Sequence, residues 1–440
     1  MAEYILYYIK NYFEKIKSKY ILKKIFNNVQ EKIVLQIFKY NKNIQKKIDI
    51  NINNYIKYSK IEIEIITTGS GKFINIKKKE KKFFHIYKKH KDKKIIILID
   101  HNVDSLNCLF KECQCIESIN FKRFNRNNIY SMKNMFASCS LKSIILSNFK
   151  TNKVSDMSHM FYGCDKLNQL NLSSLNTENV ISMDSMFENC HNLNELNLSN
   201  FNTKNVKTMS SMFCLCESLE KIDLSNFSTF NVIDMSFMFS GCHSLKELNV
   251  STFCTEKVTN MYDMFCECSS IEKLNLLNFN TVEVENMSGM FSRCSSLKNI
   301  NLSSFKTKKL RYMISMFENC SALKLLNLSN FSVNCLINMD YMISKCSSLE
   351  IFIPPNFSNQ KNDISMKHMI EYCYSLKKFE ISLSKKNIDI EYMLEGCDSI
   401  KDVIFYRFNN NILNIKKIFG NSQKKYIIYS KNKKLNLLCN

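Results

Sequence analysis

Residues 206–231 read VKTMSSMFCLCESLEKIDLSNFSTFN, and residues 232–257 follow as VIDMSFMFSGCHSLKELNVSTFCTEK. Laid one over the other, they share valine, both methionines, phenylalanine, cysteine, the leucine positions, a second phenylalanine and a threonine. The period is 26 residues. Working outward in both directions, one cysteine marks each unit: Cys113, Cys139, Cys164, Cys190, Cys216, Cys242, Cys268, Cys294, Cys320, Cys346, Cys373 and Cys397. A degenerate thirteenth unit keeps Ile412, Ile415, Ile418 and Phe419, with Ser422 in the cysteine slot. Methionine tests the register. Of the 22, all but Met1 lie seven or four residues before a ladder cysteine, so these positions face one continuous core.

Within a unit the apolar spacing changes. Val206, Met209, Met212, Phe213 and Cys216 fall at the spacing of one face of a short helix. Leu219, Ile222 and Leu224 then form LxxLxL, with Ile222 and Leu224 alternating against Lys221 and Asp223 at period two. Ser225-Asn226 turns the chain, and Thr229 is placed to cap the next helix. The expected fold is α/β: a leucine-rich-repeat solenoid of helix–strand units with a parallel sheet. A helix needs about 10 Å of width and a strand about 4.8 Å. That mismatch predicts a concave sheet face and a convex helix face.

The pattern V-x-x-M-x-x-M-F-x-x-C-x-x-L-x-x-L-x-L-S-x-F-x-T, over roughly residues 103–422, resembles the BspA-type leucine-rich-repeat surface-protein family. The resemblance implies binding and adhesion at a cell surface. The chain departs from that family in lacking a recognisable signal peptide, wall anchor or membrane span, which points instead to the cytoplasm. A second sign agrees. Asn171, Asn197, Asn249, Asn301 and Asn327 each begin an N-x-Ser acceptor sequence. Glycans there would crowd one column of the sheet, so an unglycosylated, intracellular protein is expected.

The ends differ from the array. Of the net charge of +22, residues 1–100 hold +15 and residues 401–440 hold +8, leaving the array near neutral. A basic groove for nucleic acid is therefore not expected, although the basic N-terminal segment could meet an acidic membrane surface. Residues 1–60 read as a basic helical segment, of which 20–47 resemble an F-box without its usual early Leu-Pro. Residues 61–102 read as a strand-rich cap with strands at 61–66, 73–76 and 83–87, and with 94–100 opening the stacked sheet. The array runs over 103–429, its last strand at 426–429, and 430–440 form a basic tail.

Chemistry is sparse. The CxC pairs lack the spacing of zinc sites. The ladder cysteines read as small buried hydrophobes, and the methionine rows as core. The seven histidines fall in no evident column and have no matching acid or nucleophile in sequence. Gly69-Ser70-Gly71-Lys72 lacks phosphate-loop spacing. No catalytic residue, metal site or cofactor is expected. The candidate ligand surface is the polar column of the concave sheet: Asn171, Asn197, Asp223, Asn249, Asn275, Asn301 and Asn327. The expected function is a non-enzymatic scaffold that binds a protein ligand. The alternatives are a substrate adaptor for ubiquitin ligase and a surface adhesin.

Overall fold

The computed structural model describes residues 61–67, 84–88, 94–99, 103–406 (except 125, 148, 358, 359, 361 and 384–387), 415–420, 426–430 and 433–437. The helical and F-box-like readings of residues 1–60, and the expected strand at 73–76, lie outside these. The array is a solenoid, one repeat per rung, with its core between the rung's two sides. One side carries an unbroken row of parallel bridges from Ser105↔Ser131 through Asp156↔Ser182 to Asn338↔Ser365. The other carries the LxxLxL segments as very short parallel strands: β6 (Gln169–Leu170) pairs with β7 (Glu195–Leu196), and β8 (Lys221–Ile222) with β9 (Glu247–Leu248).

The expected helix does not form. Among the described residues the array holds no helix before the five-residue Ile415–Phe419. This corrects the helix–strand leucine-rich-repeat reading to a β-solenoid. The hydrogen bonds give the reason. In the rung of Cys190, the amides of Met183, Ser185, Phe187 and Asn189 donate to carbonyls of Thr208, Ser210, Met212 and Cys214 in the next rung, at 2.8–3.2 Å. The amides between them close three-residue turns: Met186 to Met183, Glu188 to Ser185 and Cys190 to Phe187. From Ser185 to Cys190 successive amides therefore alternate between cross-rung and local partners, and each has one. Two residues per rung, five and one before the cysteine, take the left-handed conformation; here they are Ser185 (φ 53°) and Asn189 (φ 60°). A right-handed helix cannot pass through either. Three-residue turns bring residues to one side at nearly the helical spacing, so the apolar stripe is real although its backbone is not helical. Without a helix layer the width mismatch vanishes: both sides of each rung sit at hydrogen-bond spacing, and nothing in that spacing makes the strand face concave.

Columns of identical side chains hold the stack. Phe161, Phe187, Phe213, Phe239, Phe265 and Phe291 stack ring on ring, with centroids 5.5–5.8 Å apart. From Cys139 to Cys346 each ladder cysteine donates its thiol to a phenylalanine carbonyl one rung back, and Cys373 and Cys397 donate to the isoleucine carbonyls in that place. Cys216 Sγ lies 3.2 Å from the Phe187 oxygen, which also accepts the Cys190 amide, so both lone pairs are used. Threonine does the same for a stretch with no strand. Thr203 Oγ1 donates to the Ser228 carbonyl at 2.9 Å and accepts the Ser228 amide at 2.8 Å. The expected capping role of Thr229 becomes this double bridge, made to Cys254.

The ends are closed by antiparallel strands. β1 (Ile61–Thr67) lies between β3 (Lys94–Ile99) and β4 (Ile116–Phe124), antiparallel to both, and β2 (Phe84–Lys88) borders β3. The strands at 61–66 and 83–87 thus form as expected. The stacked parallel sheet, however, opens at β4 with β5 (Ser143–Ile145), not at residue 94. At the far end β15 (Asp402–Tyr406) pairs in parallel with β16 (Tyr426–Ser430). The segment read as a tail folds back as antiparallel β17 (Lys433–Leu437).

The threonine bridge yields a test. Thr229→Val keeps the shape but strips both bonds from Cys254, and should cost about 1–3 kcal/mol in urea unfolding, while Thr229→Ser restores most of it. A valine variant as stable as the parent would show that the bridge contributes nothing.

Candidate ligand-binding face

The short strands present two outward columns. Asn171, Asn197, Asp223, Asn249, Asn275, Asn301 and Asn327 are all exposed on one of them, as expected. Their partners were not foreseen. Each side-chain oxygen accepts the backbone amide two residues on: Ser173 on Asn171, Ser199 on Asn197, Ser251 on Asn249, Ser303 on Asn301 and Ser329 on Asn327 at 3.0 Å, Ser225 on Asp223 at 2.9 Å, and Leu277 on Asn275 at 3.2 Å. The column is a series of Asx turns that end the strand. The same amide bonds, with the Ser225 hydroxyl, hold the Asp223 carboxyl below the ordinary aspartate range. The amide NH2 groups of the six asparagines remain for a ligand, while the oxygens are already engaged in the turns.

Three positions before the asparagines, from Glu220 on, runs a charged column in which acids meet lysines of the next rung. Glu220 meets Lys246 at 3.6 Å, Glu272 meets Lys298 at 2.7 Å and Glu350 meets Lys377 at 3.0 Å. These pairs are well exposed and contribute little to stability. They do neutralise the face.

Apart from single exposed residues such as Ile145 and Leu277, the polar pattern breaks as a cluster at one place. β10 (Leu325–Asn327) pairs with β11 (Ile351–Ile353) in register, Leu325↔Ile351 and Asn327↔Ile353. An isoleucine thus stands where the asparagine column would continue. Leu325, Ile351, Ile353 and Tyr406 are 40–51% exposed. With Pro354, Pro355 and Ile381 the last three line a cleft of about 590 Å³. The local cause is the sequence IFIPPNF, which replaces LNLSNF. The following strand, β13 (Lys378–Ser382), lies in a separate sheet from β11. Sequence reading missed this site. Its signal was isoleucine on both sides of Phe352, a strand apolar on its outward face as well.

The histidines also need correction. His159 and His368 share a column, five before the ladder cysteine, both left-handed. His368 does meet an acid, Glu371, at 3.0 Å, and His191 meets Glu217 at 3.1 Å.

All twelve ladder cysteines are buried thiols. Burial pushes the thiols of Cys164, Cys190, Cys216 and Cys268 far up, and Cys214 and Cys266 to about 12. These groups stay protonated in the folded chain and ionise near 8.5 once unfolded. Their stabilising effect is complete below that value and fades as pH rises above it. The folded protein should expose Cys108 and Cys335 to thiol reagents and protect the ladder, and unfolding free energy should fall above pH ~8.5. Rapid native labelling of the ladder, or stability that stays flat to pH ~10, would contradict this account.

A family model described as "Mycoplasma protein of unknown function, DUF285" matches residues 104–222, 164–274, 234–357 and 265–386. The overlapping matches run across the described array and together cover well over half of the chain. No curated protein matches it.

Proposed function

The chain belongs to the DUF285 family of repeat proteins, and we propose that its array is a non-enzymatic scaffold that binds a protein ligand on the strand face. The observation that carries this reading is the cluster of Leu325, Ile351, Ile353 and Tyr406, a grouped apolar island on a sheet face that elsewhere is mostly polar and charge-balanced. Protein interfaces concentrate affinity in a few apolar or aromatic residues set within a polar rim. The asparagine amides and the Glu–Lys pairs supply such a rim. Rigid backing favours it too, because each exposed residue sits on a rung bonded to both neighbours, so little order is lost on binding. A surface adhesin of the BspA type uses the same physics, and the two readings differ only in compartment.

We place the chain inside the cell. The exposed acceptor asparagines favour this, since glycans spaced by single strands, about 5 Å apart, would cover the binding face. A glycan-free mass for the native protein is the expected result, and an N-linked glycan on any of them the contrary one. Recruitment of ubiquitin ligase through residues 20–47 has no support in the array.

The function is tested by capture from the native cell with the full chain and with Ile351→Lys and Ile353→Lys. Both side chains point outward, so folding should be unchanged while partner recovery falls at least tenfold. Partners recovered equally by both variants would remove the island from the binding face.

A further inference from the structure

Near the C-terminal end of the array, His368, Glu371 and Glu395 converge from two adjacent rungs. One ligand atom from each lies within 4.8 Å of the other two. Glu371 and Glu395 hold the same place in successive rungs, two residues before Cys373 and Cys397. The backbone fixes their spacing, with the His368 amide on the Glu391 carbonyl at 3.0 Å and the Tyr372 amide on the Glu395 carbonyl at 2.7 Å.

Each donor is held in position. The His368 ring is sandwiched between Tyr341 and Tyr392, with centroids 4.6 and 5.0 Å away and planes within 10°. Glu395 lies over Gly420, where a Cβ would stand 2.7 Å from its carboxyl carbon, so the bare glycine leaves the carboxylate its room. Glu371 has a side chain only 11% exposed.

The polar groups are not satisfied by one another. His368 Nδ1 is 3.0 Å from Glu371 Oε2, yet the buried nitrogen makes no hydrogen bond of acceptable geometry. Ser344, one rung earlier in the glutamate column, is fully buried and its Oγ has no hydrogen-bond partner either. Burial and the neighbouring Glu395 push the Glu371 carboxyl up, opposed by His368. Lys345 is the nearby cation and is engaged at 3.3 Å by Glu318. One imidazole cannot neutralise two carboxylates, so the group favours a further positive charge.

We propose that His368 Nδ1 and one oxygen each from Glu371 and Glu395 bind a divalent first-row transition-metal ion. The donor set selects the class. One imidazole with carboxylates suits ions such as Zn2+, Mn2+ or Co2+, whereas Ca2+ and Mg2+ take oxygen ligands alone. Three donors bound at about 2.0–2.2 Å stand at most about 3.8 Å from one another, so rotation of the carboxylates by about 1 Å closes the site. With three protein ligands, water completes the shell. The ion would cross-link two rungs at the end of the stack, where the repeat length changes from 27 to 24 residues.

The probe is Co2+, titrated into the full chain, whose spectrum separates nitrogen–oxygen from thiolate ligation. The expected result is one saturable Co2+ per chain without a thiolate charge-transfer band, displaced by Zn2+ but not by Ca2+ or Mg2+. Glu395→Gln and His368→Asn should each weaken binding at least tenfold with the urea transition of the metal-free protein unchanged. Should the histidine variant misfold, Glu395→Gln decides alone, since its site is at the surface. Thiolate bands, binding that does not saturate, or affinity unaffected by Glu395→Gln would overturn the site.

Discussion

The structure depends on one constraint: each rung must satisfy its backbone through its neighbours. The left-handed places in each rung rule out a helix and the rung's strands are only two or three residues long over most of the array, yet its interior excludes water. Cross-rung amides alternate with three-residue turns in the methionine–cysteine segment. Threonine side chains bridge one stretch that no strand covers, and cysteine thiols occupy spare lone pairs. Position-specific side chains therefore complete a hydrogen-bond network as well as filling a core. This is why the repeat conserves threonine and cysteine internally, where valine or alanine would fit by size.

Stacking of like on like follows from the same constraint. Because each rung repeats the last, a residue suited to its own neighbours is suited to the rung's twin. The phenylalanine rings and the Asx turns continue rung after rung. The rule fails where its parts fail. Val333 takes the threonine place, and Pro354-Pro355 removes two amides in the next rung. There β11 and β13 fall into separate sheets and the apolar cleft opens beside them. Both candidate sites, the isoleucine island and the His368–Glu371–Glu395 group, lie in this irregular third of the array. The regular rungs act as its support.

Much of this was legible in the sequence. The cysteine and methionine spacing gave the repeat, its register, the buried columns and the outward asparagines correctly. Helix was the wrong inference because apolar periodicity reports which side chains face one side, not which backbone groups are paired. A contrary sign was present: the places five and one before the cysteine include several Gly, Asn, Asp and His residues, which tolerate the left-handed region. Asn171 and its equivalents were placed well, but their role in ending the strand appears only once the Ser173-type amides are located. His368 and Glu395 are 27 residues apart, and only the rung geometry brings them together.

The left-handed places separate the two backbones most sharply. Gly163 sits at φ 66° in a strongly regular rung, and a Cβ there would meet Ser138 Oγ at 3.3 Å, with room to adjust. Gly163→Ala in a helix would raise stability by about 1 kcal/mol. In a left-handed turn the same change forces a Cβ into a conformation that costs about 1–2 kcal/mol. Urea unfolding of this variant is the direct measurement. The solenoid described above predicts a lower unfolding free energy, and an increase would contradict it.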